Sequence, residues 1–228
     1  MYTLYYTTRS YTTEATSLIP RIALEETGAE YDVVEVELRP SSPDWYLSLN
    51  PHGKLPSLVD RRPGAGETIV FPSAAILCHL ADAHSEAHLL PSPGTPDRAL
   101  CYRSLFDMAE MLNSSYMMCS YPERFSTDPD HAAQVRHKGA QWIVHYLGQI
   151  NEALRSGPYL AGSGYSICDI YMYVMARWYV YCLGGWDYEE AKPFEQFEQL
   201  ASSCQNIEAR PAVERALAAD EINFIARS

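Results

Sequence analysis

The sequence has 228 residues, 47% of them hydrophobic and 20% charged, with a formal net charge of −12 and a pI near 4.9. That length and composition fit one large or two modest globular domains with a substantial core. The acidic balance repels phosphate backbones and argues against nucleic acid as a partner; the lack of a basic run and of any roughly 18-residue apolar stretch argues against a membrane.

The opening Met1-Tyr2-Thr3-Leu4-Tyr5-Tyr6 has neither the charge nor the length of a signal peptide. Tyr2–Thr7, rich in aromatic and β-branched residues, reads as a strand, followed by a polar loop over Thr8–Ala15. Leu18, Ile19, Ile22, Ala23 and Leu24 recur at helical spacing, and Gly28 ends that helix. Tyr31–Leu38 predicts a second strand, Trp45–Leu49 a short helical turn, Leu55–Asp60 a third strand and Thr68–Phe71 a fourth after a turn over Arg61–Gly66. Ser73–His84 carries Ala74, Ile76, Leu77, Leu80 and Ala81 on a further helix. The strand-helix-strand opening favours a parallel pair, and the last two strands are close enough for a hairpin.

Ser85–Asp97 contains Pro91, Pro93, Gly94 and Pro96 and reads as a linker. Beyond it only helical patterns follow, over Arg98–Met118, His131–Leu154, Ser166–Leu183, Phe194–Ile207 and Ala212–Ala218. The expected domains are therefore 1–84 and 98–228, joined by 85–97. Ser166–Leu183 is apolar nearly all round, as a helix buried inside its domain would be. Six cysteines without a C-x-x-C pair read as reduced, buried thiols of a cytoplasmic protein.

Three short segments carry chemistry. In Leu55-Pro56 the X-Pro bond tolerates cis geometry, which would turn the Leu55 N–H and C=O outward to pair with an extended peptide. Ser73 stands where a strand meets a helix, either as a plain N-cap or as a carboxylate site made of free N–H groups and the helix dipole. Ser166-Ile167-Cys168-Asp169 is a capping box opening an apolar helix, a structural role. His79, His84 and His88 cluster in sequence without a fourth ligand, a weak metal signal.

Asn50-Pro51-His52-Gly53-Lys54-Leu55-Pro56, Ser73 with Ala75-Ile76 and Leu80-Ala81-Asp82, the Ser166–Asp169 box and Ala209-Arg210-Pro211-Ala212-Val213 occur in an order that resembles the cytosolic glutathione transferases, nearest to the bacterial beta-like and zeta-like branches. The resemblance covers nearly the whole chain. It implies an α/β thioredoxin-like N-terminal domain, an all-α C-terminal domain, a homodimer, a glutathione site on the first domain and an apolar co-substrate site between domains. Carried over residue by residue, Leu55 would pair its backbone with the cysteinyl part of glutathione, Pro56 would be the cis proline, and Ser73 would hold the γ-glutamyl carboxylate. Lys54 or His52 would approach the glycyl carboxylate.

Two positions depart from the family pattern. Pro72 replaces the acid or amide that usually precedes the serine, so a partner subunit's acid or a water would have to meet the γ-glutamyl amino group. Thr16-Ser17-Leu18-Ile19-Pro20-Arg21 aligns with a beta-branch stretch that opens with cysteine, and Thr16 stands in its place. Pro20 fits only the first turn, so the helix should begin near Thr16 or Ser17. A hydroxyl there, Ser17 ahead of Thr16, would donate to a thiolate and lower its pKa, or would merely cap. Tyr6 is a further candidate, with Thr8, Ser10 and Tyr11 weaker ones. Aromatics from Tyr171 to Tyr188 read mainly as helical core; Tyr102, Phe106, Met117 and Met118 would join some of them in lining an apolar pocket. The implied reaction is attack of glutathione thiolate on a hydrophobic electrophile. The alternatives are a glutathione-dependent lyase or isomerase, and a non-catalytic ligand-binding protein.

Overall fold

The computed structural model describes residues 1–7, 16–38, 42–64, 66–161, 164–180 and 194–219. The expected Thr8–Ala15 loop, with Thr8, Ser10 and Tyr11, lies outside these residues, as do Tyr181, Cys182, Trp186 and Tyr188. One compact unit comprises residues to Leu90 together with the segment from Ala209; the other comprises Pro91–Glu208.

The first unit is built on a four-stranded sheet of order β2-β1-β3-β4. Strand β1 (Tyr2–Tyr6) runs parallel to β2 (Tyr31–Glu35) and antiparallel to β3 (Ser57–Asp60), and β3 forms a hairpin with β4 (Thr68–Val70). The inner strands supply the core: Leu4 and Leu58 face each other in register and are fully buried. The edge strands are exposed, and Asp32 and Glu35 on β2 discourage pairing with another chain.

Helix α1 (Leu18–Thr27) crosses between β1 and β2 and ends at Gly28, whose φ of 65° suits the left-handed cap. After α2 (Asp44–Leu49), the chain passes through cis Leu55-Pro56 into β3, so the third strand begins two residues later than the expected Leu55. Helix α3 (Ser73–Ala83) follows a second cis bond, Phe71-Pro72, and packs on α1, β3 and β4. This is the thioredoxin-like arrangement of strands and helices.

The second unit is helical. The expected single helix over Arg98–Met118 is three pieces: α4 (Pro96–Asp107), a π-turn over Met108–Leu112, and α5 (Asn113–Ser120). Helix α6 (Ala132–Ala153) packs closely on α5; a Cβ on Gly139 would meet the Ser115 carbonyl oxygen and Cys119 Sγ at 2.8 Å. Helix α7 (Ile167–Trp178) is buried on every side, as its composition predicts. Its buried Arg177 donates to Tyr173 Oη at 2.9 Å and pairs with Glu208 at the end of α8 (Glu198–Glu208). The capping box closes as read, with Asp169 accepting from the Ser166 N–H at 2.8 Å and hydroxyl at 2.9 Å, and from the Leu160 N–H at 2.9 Å.

Helix α9 (Pro211–Ala219) groups with the first unit, whereas the sequence assigns it to the helical segment 98–228. Its apolar face, with Val213, Ala216 and Leu217, is buried. Arg210 grips Glu26 of α1 through two bonds of 2.6 and 2.8 Å, and Arg215 reaches Glu25 at 2.7 Å. No helix among the described residues is long and apolar enough to cross a membrane.

Candidate functional site

The turn before β3 is held from beneath by a buried polar brace. Tyr46 on α2 is fully buried and its hydroxyl donates to the Lys54 carbonyl at 2.6 Å. Asn50, one helical turn later, donates to the same carbonyl at 2.8 Å and to Ser57 Oγ at 3.0 Å, and accepts from the His52 N–H. Gly53 adopts φ 58°, and a Cβ there would run into Ser42 Oγ at 2.6 Å; glycine is needed on both counts. These bonds satisfy Lys54 and Ser57 on either side of Leu55-Pro56 and leave the Leu55 N–H without a partner among the described residues.

The start of α1 approaches this turn. The Thr16 hydroxyl donates to the Leu55 carbonyl at 3.3 Å. Ser17, expected either to cap α1 or to face a thiol, is buried at 2% exposure and makes no capping bond; its oxygen accepts a long 3.5 Å bond from the Thr7 N–H. Tyr6, at the end of β1, lies with the Arg21 guanidinium 4.8 Å from its ring centre. Thr16 and Leu55 therefore come together, Ser17 is turned inward, and Tyr6 is packed by α1.

Ser73 occupies the first position of α3, with Pro72 as the N-cap residue, so it is not the cap of the helix. Pro72 contributes only its carbonyl, which accepts the Ile76 N–H at 3.1 Å. The N–H groups of the first turn remain available to an anion, as at any helix start, and the eleven-residue α3 supplies the dipole. Phe71 meets the His52 ring edge-on at 5.7 Å, joining the entrance of α3 to the proline turn. Lys54 and His52 are exposed. Ser57 belongs to the proline-turn segment itself, whereas Tyr46 and Ser42, which also carry the turn, have no motif of their own in the sequence. Tyr46 sits four residues before Asn50, a same-face helical spacing that marks the pair.

Two of the three clustered histidines have structural partners. His79 bonds the buried Asp60 carboxylate at 2.8 Å, and His84 lies 3.0 Å from the Tyr2 hydroxyl and 3.2 Å from Glu86. Among the described residues no group of three or more acidic, histidine or cysteine side chains is placed to hold a metal. Of the suggested apolar lining, Tyr171, Tyr173 and Trp178 are buried in α7, Phe106 is 51% exposed, and Arg98 lies over the Tyr102 ring.

Residues 5–82 match the family model "Glutathione S-transferase, N-terminal domain". The chain is 27% identical over 209 residues to glutathione S-transferase GstA of Escherichia coli O157:H7, covering 90% of this chain and 94% of that protein. It is 30% identical over 159 residues to the disulfide-bond oxidoreductase YfcG of Escherichia coli K12, covering 64% of this chain and 68% of that one. Among solved structures it is similar to the beta-class glutathione S-transferase of Sphingomonas chungbukensis, with a TM-score of 0.76, 28% identity, and coverage of 97% of this chain and all of the other. A sphingomonad glutathione S-transferase complexed with glutathione gives the same TM-score at 27% identity, again covering 97% of this chain and all of the other. By the matched family model, the curated relatives and the solved structures together, this chain belongs to the glutathione S-transferase superfamily.

Proposed function

We propose that this protein binds glutathione and activates its thiol for attack on a hydrophobic electrophile, acting as a cytoplasmic homodimer. The observation that carries the reading is the Thr16 hydroxyl at the start of α1, bonded to the Leu55 carbonyl of the cis-proline turn. A cysteinyl backbone paired with Leu55 brings its sulfur toward the positive end of α1, where a hydroxyl donor and the dipole both favour thiolate. Thr16 is the better donor of the two hydroxyls, because Ser17 is buried and turned to Thr7. Ser73 and the first N–H groups of α3 take the γ-glutamyl carboxylate, with Lys54 or His52 near the glycyl end. Pro72 offers no acceptor to the γ-glutamyl amino group, which is left to an acid of the partner subunit or to water.

The similarity to a transferase complexed with glutathione supports the ligand. Ultraviolet titration of the thiolate in the protein–glutathione complex tests the chemistry. The bound thiol should ionise below its free value, and an unshifted thiol would remove the proposed activation. Product formation without net loss of glutathione would convert the assignment to lyase or isomerase. Light scattering at micromolar concentration tests the dimer.

A further inference from the structure

Helices α4 and α7 bring two cysteines to one point inside the helical unit. Cys101 lies in α4 and Cys168 in the first turn of α7, both with no exposed surface. Cys168 Sγ is 3.0 Å from Cys101 Sγ and donates to the Cys101 carbonyl at 2.9 Å. A disulfide requires about 2.05 Å between sulfurs, so the two atoms lie roughly 1 Å from bonding distance. The capping box fixes one partner, because Ser166 Oγ accepts the Cys168 N–H at 3.3 Å.

The two thiols are not equivalent. Contact with Cys168 holds the Cys101 thiol below its usual range against the opposing effect of burial. Contact with Cys101, then burial, pushes Cys168 well up. Asp169 acts upward on both. The adjacent sulfurs give one thiol to attack and a second within reach to resolve. Of the other described thiols, Cys119 donates to the Arg136 carbonyl at 3.4 Å, Cys204 is buried, and Cys78 is half-buried in the first unit.

We propose that Cys101 and Cys168 form a peroxide-oxidisable dithiol whose disulfide staples α4 to α7. The Cys101 thiolate attacks one oxygen of hydrogen peroxide, the O–O bond breaks, and sulfenic acid and water result. Cys168 attacks that sulfur, the S–O bond breaks, and its oxygen leaves as a second water. Peroxide takes two electrons and two thiol protons leave in the waters. Reduction needs a wider opening of the α4–α7 contact, through which a small thiol such as glutathione restores the pair through a mixed disulfide and is itself oxidised to its disulfide. Complete burial excludes bulky oxidants, whereas peroxide, little larger than water, enters through small local openings. The inference is independent of the transferase assignment.

The test is non-reducing peptide mapping of the full chain after peroxide treatment and thiol blocking. The expected product is a Cys101–Cys168 cross-linked peptide lighter by two hydrogens, lost on adding dithiothreitol. The treated protein should also melt higher, a shift absent from Cys168→Ala. In that variant Cys101 should stop at a sulfenic acid that dimedone traps. Peroxide that modifies Cys78 while leaving Cys101 and Cys168 as free thiols would overturn the proposal, as would a melting shift that persists in Cys168→Ala. If that variant fails to fold, the peptide map of the unmodified chain decides alone.

Discussion

At the scale of single residues, the reading turns on one hydroxyl. Thr16 donates to the Leu55 carbonyl, and in the proposed role the hydroxyl turns from that carbonyl to the thiolate. A hydrogen bond to a charged partner contributes about 1.5–3 kcal/mol, which is roughly tenfold or more in rate. Thr16→Val keeps the shape and removes the donor. It should raise the bound thiol pKa and lower kcat/KM at neutral pH by at least about tenfold, with recovery at higher pH. Ser17→Ala should move neither. The pH profile of kcat/KM separates the two, and a reversed pattern would transfer the role to Ser17. Asn50 is a positioning residue. Asn50→Ala removes donors from Lys54 and Ser57 and the acceptor of His52. It should cost about 2–3 kcal/mol in urea unfolding and raise KM for glutathione more than it lowers kcat.

Among the elements, local signals explain what was legible. Helix α7 was readable because its capping box and unbroken apolar run agree with each other, and β1, α1 and α3 because period and punctuation coincide. The break of α4 at Met108–Leu112 carries no proline or glycine, so nothing in that stretch announces a π-turn. The assignment of α9 was equally hidden: ion pairs from Arg210 and Arg215 to Glu26 and Glu25 span more than 180 residues, a separation no local pattern records. The cis-proline turn was legible as a motif, but the brace from Tyr46 was not, since its hydroxyl target lies eight residues on. The inward turn of Ser17 depends on Thr7, across a polar stretch of sequence without periodic signal. Because α7 starts on one carboxylate with three donors, Asp169→Ala should cost roughly 3 kcal/mol. Thermal or urea unfolding of the variant measures this, and a loss below about 1 kcal/mol would mean that water replaces the side chain.

Over the whole molecule, two buried carboxylates give the two units opposite responses to acid. Asp169, in the helical unit, is pushed up to about 6, mainly by burial and against the hydrogen bonds it accepts. The folded state therefore binds its proton more tightly than the unfolded chain does. Its contribution is fullest below the unfolded value of 3.8 and is lost as pH rises through about 6. Asp60, in the sheet unit, faces the opposite way. Burial opposes its ionisation, but bonds from the Arg62 side chain and backbone and from His79 outweigh it and hold the carboxyl well below its usual range. Its contribution is present above the unfolded value and is lost as pH falls toward the folded one. Acidification from neutrality should thus favour the helical unit between about pH 6 and 4 and weaken the sheet unit below that. Hydrogen exchange followed as pH falls below the unfolded Asp value of 3.8 should show amides of β1 and β3 losing protection ahead of those in α7. Asp60→Asn leaves Arg62 and His79 without their anion, so it should destabilise the sheet unit at neutral pH and flatten its acid dependence. Asp169→Asn should flatten the opposite slope while leaving the sheet unit unchanged. Simultaneous loss of protection in both units, unaltered by either substitution, would show that the chain unfolds as one cooperative body and that neither carboxylate governs its acid limb.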